Sequence, residues 1–404
     1  MILLVRKNLR SSTNEAIFVH GIPRIRLRFV SFGGLAGGCG GLGGSGGGSG
    51  AMSKNISIWS PSFERAAGGI EGLSADVLEA CGRKWGAKGL PIWTGGERGL
   101  PAKIGFCFRS AKDSLIRRPG VVVLMHAHLI PLASLLKRIF GFRVAVWLHG
   151  IEVWDRPGRR VPPGVDSVDL FIAISEVTVA RTKGCRPEGR RCEIIHPTAD
   201  FGQFTPGPAR EDLQRRYGLP GRSDVLLTVG RLASGEGYKG QDAVIRALPG
   251  ILSKRSQTKY LIVGTGDDRG RLERLAAELG VEGNVIFAGR IAGRELTDHY
   301  RLASVFAMPS SGEGFGIVYL EALGCGCRVV AGNADGAADA LGGGRFGRMV
   351  DPSDGPALEE ALLASLEEES GGVTHAEVDA LYGKERFARE IGSALEPLMR
   401  TCAG

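Results

Sequence analysis

The sequence lacks the features that mark several protein classes. Its eight cysteines are scattered and form no C-x-x-C pair. Their spacing therefore suits neither a disulfide scaffold nor a zinc site, and it favours a reducing compartment. Aromatic residues make up only 7% of the chain and form no stripe interleaved with basic residues. Such a stripe is expected of a surface that binds single-stranded nucleic acid, so we predict no nucleic-acid partner.

Long hydrophobic runs are also scarce. Residues 119–136 form a stretch of 18 residues without Asp, Glu, Lys or Arg, which is the lower limit for a membrane-spanning helix. The stretch opens on three valines and contains His126, His128 and Pro131, so we interpret it as a buried strand followed by a helix. The next segment, residues 135–143 (LLKRIFGFR), has the composition of a helix that lies on a membrane surface. A solvated helix face is an equal alternative.

What the chain does contain is enough apolar material for two or three domains. It has 404 residues, of which 43% are hydrophobic. The charge is uneven, with net values of +5 over residues 1–53, +8 over residues 54–200 and −5 over residues 201–404. A basic first half suits an anionic partner, such as a membrane surface.

Residues 33–50 include 12 glycines. We therefore interpret residues 1–52 as a disordered tail, or as a mis-assigned start if translation begins at Met52.

The remaining chain alternates short apolar runs with amphipathic stretches, which predicts parallel sheets covered by helices. We expect two Rossmann-like, doubly wound α/β domains that face a central cleft, at residues 53–205 and 206–382. Residues 383–404 form a last helix that crosses back to the first domain. Strands are predicted at 56–59, 121–125, 144–148, 170–174, 193–196, 225–229, 259–263, 285–288, 305–308 and 328–331, and helices at 70–85, 241–254, 269–279, 294–302, 317–323 and 384–399.

The densest chemical signal is PSSGEGFGIVYLEALGCG at residues 309–326. A strand should end here, followed by a loop of small residues around Glu313 and a helix that carries Glu321. Glycines let the backbone approach a ligand closely, and the helix start offers free N–H groups. The two carboxylates could accept hydrogen bonds from two separate hydroxyl-bearing parts of one elongated ligand. The alternative is a strand–loop–helix junction with two solvated acids.

Three further loops carry candidate residues. In VGRLASGEGYKG (229–240), Arg231 and Lys239 could neutralise a diphosphate and the charge on a departing nucleotide, or simply be solvated cations. In WLHGIE (147–152), His149 could hydrogen-bond a sugar or shuttle a proton, or be a structural histidine. In AAGGIEG (66–72), Gly69 would allow a phosphate or sugar to approach, or belong to an ordinary turn.

Other motifs fail. VGTGDD at 263–268 begins like a dinucleotide fingerprint, but Arg269 occupies the position of its third glycine, and the chain has no G-x-x-x-x-G-K-[ST] phosphate loop. His126 and His128 have no Cys or H-E-x-x-H partner near them, so the sequence predicts no metal site.

Taken in order, the motifs resemble those of retaining glycosyltransferases of family 4, which have the GT-B architecture. The matching landmarks run from about residue 55 to 399: GGIE (68–71), MHAH (125–128), LHGIE (148–152), AIS (173–175), VGRL with YKG (229–240) and EGFGIVYLE (313–321). The family often has P-N-G-V-D before the second domain, whereas this chain has HPTAD at 196–200 and lacks that glycine.

The resemblance implies transfer of a hexosyl group from a nucleotide-diphosphate sugar to a hydroxyl, with retained anomeric configuration. Arg231 and Lys239 would hold the diphosphate, Glu321 the ribose, and Glu313 with the backbone at Gly314, Phe315 and Gly316 the donor sugar. His149 would contact the sugar near the reacting centre, and Gly69 would lie beside the phosphates. No metal or other cofactor is implied, because the nucleotide-sugar is a substrate and the family is generally metal-independent.

The expected acceptor is a saccharide or a lipid-linked molecule used in surface polysaccharide or glycolipid synthesis. The basic first domain favours peripheral contact with an anionic membrane, so we expect a cytoplasmic protein at the inner face of the cytoplasmic membrane. Alternatives are a sugar phosphorylase or sucrose-type synthase on the same fold, and a nucleotide-sugar-binding protein without catalysis.

Overall fold

The computed structural model describes residues 53–65, 68–93, 99–150, 152–154, 161–182, 186–187, 189–219, 224–291, 293–368 and 373–400. The predicted tail or mis-assigned start at residues 1–52 lies outside these ranges. The described residues form two sheets, each of six parallel strands, with helices between the strands. This confirms the α/β class and the doubly wound parallel sheets expected from the sequence.

The first sheet has the strand order β2-β1-β3-β4-β5-β6. Its strands are short and rich in β-branched residues; all six residues of β3, for example, are buried, as expected of a parallel strand covered on both faces. In chain order the elements are β1 (Ser53–Ser60), α1 (Gly69–Trp85), β2 (Lys88–Pro91), α2 (Leu100–Ile116), β3 (Pro119–Leu124), α3 (Ile130–Phe140), β4 (Arg143–Leu148), β5 (Leu170–Ala173), α4 (Glu176–Ala180) and β6 (Cys192–Ile194).

The second sheet has the order β12-β11-β10-β7-β8-β9. The first strand of this sheet, β7, therefore lies in the middle. β8 and β9 follow on one side of it, and β10, β11 and β12 follow on the other side. Its elements are α5 (Glu211–Arg216), β7 (Val225–Val229), α6 (Gln241–Lys254), β8 (Lys259–Val263), α7 (Arg269–Glu278), β9 (Val285–Gly289), α8 (Arg294–Leu302), β10 (Val305–Met308), α9 (Ile317–Gly324), β11 (Arg328–Gly332), α10 (Ala337–Ala340), β12 (Arg348–Val350), α11 (Gly355–Glu367), α12 (His375–Tyr382) and α13 (Lys384–Arg400).

The direction of winding reverses at one place in each sheet. It reverses between β1 and β3 in the first sheet and between β7 and β10 in the second. The two loops that leave neighbouring strands at such a point run to opposite faces of the sheet. They open a crevice beyond the carboxyl ends of the strands, where ligands of doubly wound folds bind.

The last helix connects the two halves of the structure, which we call the first and the second unit after the sheet that each contains. α13 packs along α1, and its Phe387 lies 6.1 Å from Trp147 of β4, measured between ring centroids. At its start, Lys384 pairs with Asp200 at 2.8 Å and Arg386 donates to the backbone carbonyls of the HPTAD segment. These contacts hold the linker between the units in place without the glycine that the family often has there.

The segment at residues 135–143, for which the sequence left a membrane surface and a solvated helix face open, is partly buried in the structure. Leu136 and Phe142 belong to a buried cluster of the first unit. Lys137 contacts Asp169 at 2.5 Å, and Arg143 contacts the same carboxylate at 3.1 Å. The core therefore covers Leu136 and Phe142, whereas Leu135, Ile139 and Phe140 stay partly exposed. Two of the cations are paired with Asp169. Among the described residues, every helix is too short or too polar to cross a bilayer.

Candidate active site

The candidate site lies where the winding of the second sheet reverses. β7 leads into Arg231 and into a 3-10 turn at Ser234–Lys239, and β10 leads into the loop that carries Glu313. The two loops are packed together: Ser311 N–H donates to the Tyr238 carbonyl at 2.8 Å, and a Cβ at Gly312 would lie 2.8 Å from the Tyr238 ring. The fold thus unites two motifs that are about 80 residues apart in the chain.

Two cations and two carboxylates form a cluster at these loops. The ammonium group of Lys239 pairs with Glu313 and lies 3.8 Å from Glu236, which also pairs with Arg231. Lys239 and Glu313 are nearly buried, with 12% and 15% of their side chains exposed, whereas Arg231 is 74% exposed. Burial alone would lower the pKa of Lys239, but the charge of Glu313 leads the contributions that raise it above its usual value. Lys239 therefore carries a fixed positive charge.

Asp335 supports the Glu313 loop, and sequence reasoning missed it. Its buried carboxylate accepts hydrogen bonds from the Glu313 backbone N–H at 2.7 Å, the Ser310 hydroxyl at 2.7 Å and the Ala337 backbone N–H at 2.9 Å. Burial raises the pKa of this carboxyl, although these hydrogen bonds oppose the shift. A lone aspartate among small residues carries no pattern, so only the three-dimensional contacts reveal its role.

The two units touch at the glycines of the loop. A Cβ at Gly314 would lie 2.0 Å from the backbone oxygen of His149, which follows β4. Phe315 is 1% exposed, and its ring stacks on His196 with centroids 5.5 Å apart. Gly316 has a φ of 86°, in the left-handed region that favours glycine, so its backbone conformation alone accounts for this residue type.

His149 is 7% exposed, and its backbone packs against the Glu313 loop at Gly314. Its Nε2 lies 2.8 Å from the Met125 carbonyl. A carbonyl can only accept, so Nε2 carries the proton and Nδ1 is left as an acceptor. Burial lowers the pKa of His149 to about 4, so the ring is neutral at physiological pH. This state suits a hydrogen bond accepted from a sugar hydroxyl, and it does not favour the alternative role of proton shuttle.

Glu321 lies in the second turn of α9, partly buried. Its Oε2 accepts a hydrogen bond from the buried hydroxyl of Tyr300 on α8 at 2.7 Å, and the second oxygen is not part of this contact. Burial raises the pKa of Glu321 to about 7, and the Tyr300 hydrogen bond opposes that shift. Tyr300 is a second residue that sequence reasoning missed, because one tyrosine in an amphipathic helix is most simply a core residue.

The raised pKa of Glu321 predicts that donor binding depends on pH. A carboxylate accepts two ribose hydroxyls, whereas its protonated form loses acceptor capacity. Affinity for a nucleotide-sugar should therefore fall as the pH drops from 8 to 6, through the pKa of about 7. Titration calorimetry across this range measures the effect. Glu321→Gln should bind weakly at every pH and lose the dependence; an unchanged pH profile in that variant would remove Glu321 from the binding site.

Gly69 begins α1 on the first unit, and no described atom lies within 4 Å of a Cβ built there. Packing within the described residues therefore does not require glycine at this position, which leaves room for a ligand. The glycines of VGTGDD are different: Cβ atoms at Gly264 and Gly266 would lie 1.8 Å and 1.9 Å from the carbonyls of Gly230 and Leu232. They permit close packing against the Arg231 loop, which explains this incomplete fingerprint.

Comparison with known proteins identifies the family. The model of the family "Glycosyl transferases group 1" matches residues 209–378. A monoacylated phosphatidylinositol monomannoside mannosyltransferase of Corynebacterium glutamicum, described as GDP-mannose-dependent, is 30% identical over 288 residues, which cover 67% of this chain and 74% of that protein. The chain belongs to the group 1 glycosyl transferases. This confirms the family that the ordered motifs indicated.

A second relative is more similar to this group 1 glycosyl transferase over a shorter stretch. A GDP-mannose-dependent α-(1-6)-phosphatidylinositol monomannoside mannosyltransferase of Mycolicibacterium smegmatis is 37% identical over 251 residues, or 58% of this chain. The match spans 64% of that relative's length. Among solved structures, the Anabaena protein HepE in complex with UDP-glucose superposes with a TM-score of 0.70 at 18% identity, covering 85% of this chain and 99% of that one. This similarity confirms the predicted GT-B fold.

Proposed function

We propose that the protein transfers a hexosyl group, with retention of configuration, from a nucleotide-diphosphate sugar to a hydroxyl of a lipid-linked or saccharide acceptor. The observation that carries the proposal is the nearly buried Lys239–Glu313 pair at the winding reversal of the second sheet, in a loop whose Gly314 packs against the backbone of His149. A fixed cation there suits the diphosphate, and the carboxylate suits the hydroxyls of the donor sugar. Since the two side chains are each other's partners in the structure, donor binding must exchange their ion pair for contacts to the donor.

The other predicted residues complete a donor site in this proposal. Glu321 has one carboxylate oxygen held by Tyr300 and binds the ribose with the other. Neutral His149 accepts a hydrogen bond from the sugar, and Gly69 leaves space for the phosphates. Arg231 is largely exposed and pairs with Glu236. Its guanidinium therefore has to leave Glu236 before it can join Lys239 at the leaving group.

In this proposal Arg231 and Lys239 take the place of a metal ion at the leaving group. Chelation of metal ions with EDTA should therefore leave turnover unchanged.

The relatives suggest which donor and acceptor to test first. Both mannosyltransferases above are described as GDP-mannose-dependent, and both act on phosphatidylinositol mannosides according to their names. We propose GDP-mannose as the donor and a phosphatidylinositol-type glycolipid as the acceptor, used by a cytoplasmic protein at the inner face of the membrane. A sugar phosphorylase, a sucrose-type synthase or a non-catalytic binding protein receives no support from these two relatives.

A thermal-shift screen tests the donor. The protein is melted with GDP-mannose, UDP-glucose and ADP-glucose at one common concentration, about a hundred times the Kd expected for GDP-mannose, where binding of that donor adds about 2.7 kcal/mol to the stability. We expect GDP-mannose to raise Tm by several degrees, with smaller shifts for the other sugars. No shift with any nucleotide-sugar would refute the proposed function. Release of GDP in the presence of a glycolipid acceptor, and no release with inorganic phosphate as acceptor, would separate the transferase from a phosphorylase.

A further inference from the structure

Helix α2 exposes an unusual amount of apolar surface. Among the described residues, seven large hydrophobic side chains are exposed, and five of them belong to this one helix. They are Leu100 (37% exposed), Ile104 (36%), Phe108 (51%), Leu115 (59%) and Ile116 (66%). Single exposed apolar residues are common on any protein, but a cluster on one element marks an interaction surface.

The spacing of these residues places most of them on one face. Leu100, Ile104, Phe108 and Leu115 are separated by four, four and seven positions, which is the repeat of a single helix face. The opposite face carries Phe106, which packs edge-to-face on Trp59 at 5.7 Å between ring centroids. The helix is thus apolar on two sides, and the core of the first unit accounts for only one. We call the other side, defined by these four residues, the outer face of α2.

The charges beside the outer face are positive. Lys103 and Lys112 are exposed on α2, and exposed Arg118 follows its end. The one acidic residue of α2, Asp113, is buried and lies 3.3 Å from Lys88. An apolar face bordered by cations, without an exposed carboxylate on the helix, has the composition of a helix that lies in the headgroup region of an anionic bilayer.

The topology brings one end of this face towards the cleft. α2 follows β2 in a sheet of parallel strands, so its first residue, Leu100, lies at the edge formed by the carboxyl ends of the strands. His149 follows β4 and lies at the same edge. A lipid-linked acceptor held in a membrane at this face would therefore reach the site from the side of the first unit.

We propose that the outer face of α2 docks the protein onto an anionic membrane. This deepens the proposed function, because it rests on a lipid-linked acceptor and names the surface that brings the enzyme to it. Docking would bury Phe108 and Leu115 among acyl chains and place Lys103 and Lys112 at the lipid phosphates. A second copy of this chain is a poorer occupant, because a symmetric pairing of the two faces would bring cations of like sign together.

Vesicle sedimentation tests this inference with the full-length protein. Vesicles of phosphatidylglycerol and phosphatidylcholine in equal parts are compared with vesicles of phosphatidylcholine alone. We expect binding to the anionic vesicles that weakens as salt is added. The double variant Phe108→Gln/Leu115→Gln should lower the partition coefficient roughly ten-fold or more, because two large apolar groups no longer enter the bilayer. Lys103→Gln/Lys112→Gln should lower it by about thirty-fold on anionic vesicles only.

Leu381→Gln is the matched control, since Leu381 is 44% exposed on α12 of the second unit. It should sediment with vesicles as the parent protein does. All of these side chains are exposed, so Tm should stay at the parent value and show that each variant is folded. Unaltered vesicle binding in both double variants would overturn the inference. So would a change from dimer to monomer in light scattering without any vesicle binding, which would assign the face to a second copy.

The thermal-shift and vesicle-binding measurements test the proposed function and the membrane docking separately. The thermal shift produced by GDP-mannose depends on the donor site and should be the same in the Phe108→Gln/Leu115→Gln variant. A donor shift without vesicle binding refutes membrane docking and leaves the transferase proposal intact. Vesicle binding without a thermal shift from any nucleotide-sugar supports membrane docking and refutes the transferase proposal.

Discussion

Exchange of Lys239 for alanine is expected to lower turnover by about 10²–10³, the usual loss when one preorganised group that stabilises transition-state charge is removed. The Lys239 side chain is 12% exposed, and Tyr238 lies beside its ammonium group with 5.2 Å between Nζ and the ring centroid. The protein thus holds it in place before charge develops on the departing nucleoside diphosphate. The measurement is the rate of nucleoside diphosphate release at saturating donor.

Lys254→Ala is the matched control for this prediction. It makes the same chemical change at a side chain that is 64% exposed at the end of α6, and turnover should stay at the parent value. Because Lys239→Ala also leaves Glu313 without its cation, Lys239→Ala/Glu313→Gln should recover stability without recovering turnover. A single Lys239→Ala variant that turns over like the parent enzyme would show that the charge on the leaving group is stabilised elsewhere.

Ten of the twelve described strands and the order of the site motifs were predictable, because the signals are local; the edge strands β2 and β12 were not predicted. β7 and β10 are short buried runs, and each is followed by a glycine-containing loop whose polar residues have no role in a core. Parallel strands place such loops at one edge of the sheet, so the approach of Lys239 to Glu313 follows from topology alone. The predicted positions of these residues therefore required no knowledge of side-chain contacts.

Helix α2 was not predicted, for a physical reason that its structure makes plain. Sequence patterns reveal a helix when apolar residues recur on one face. In α2 the buried residues Ala102 and Phe106 alternate with the exposed residues Ile104 and Phe108, so neither face stands out. The feature that hid the helix from pattern analysis is the same outer face that we assign to the membrane.

The residues that hold the site carboxylates in place, Asp335 and Tyr300, were not predicted for a different reason. Asp335 and Tyr300 act on Glu313 and Glu321 across loops and helices, at separations of about 20 residues that follow no periodicity. The pairing of Arg231 with Glu236 was equally unpredictable, because the sequence does not show which carboxylate a loop cation will contact. Backbone topology can be inferred from local signals, whereas the partners of individual polar side chains depend on packing between distant elements.

Replacing Gly314 with alanine tests whether the two units must touch during catalysis. The new Cβ would lie 2.0 Å from the His149 carbonyl oxygen, which belongs to the backbone and cannot rotate away. Reaching ordinary contact at 3.4 Å requires the loops to separate by about 1.4 Å. A misplacement of about 1 Å can cost about 10² in rate, so we expect kcat to fall by about that factor.

This loss should be confined to the chemical step. Lys239 and Glu321 belong to the second unit, so the affinity for the nucleotide part of the donor should change little while kcat falls. Gly355→Ala is the matched control, because it makes the same change at the start of α11 where no described atom lies within 4 Å of the new Cβ. Small-angle scattering should show a slightly larger radius of gyration for Gly314→Ala alone. If Gly314→Ala instead kept the parent kcat, contact between the His149 and Glu313 loops would not be needed for transfer, and His149 would lose its place beside the donor sugar.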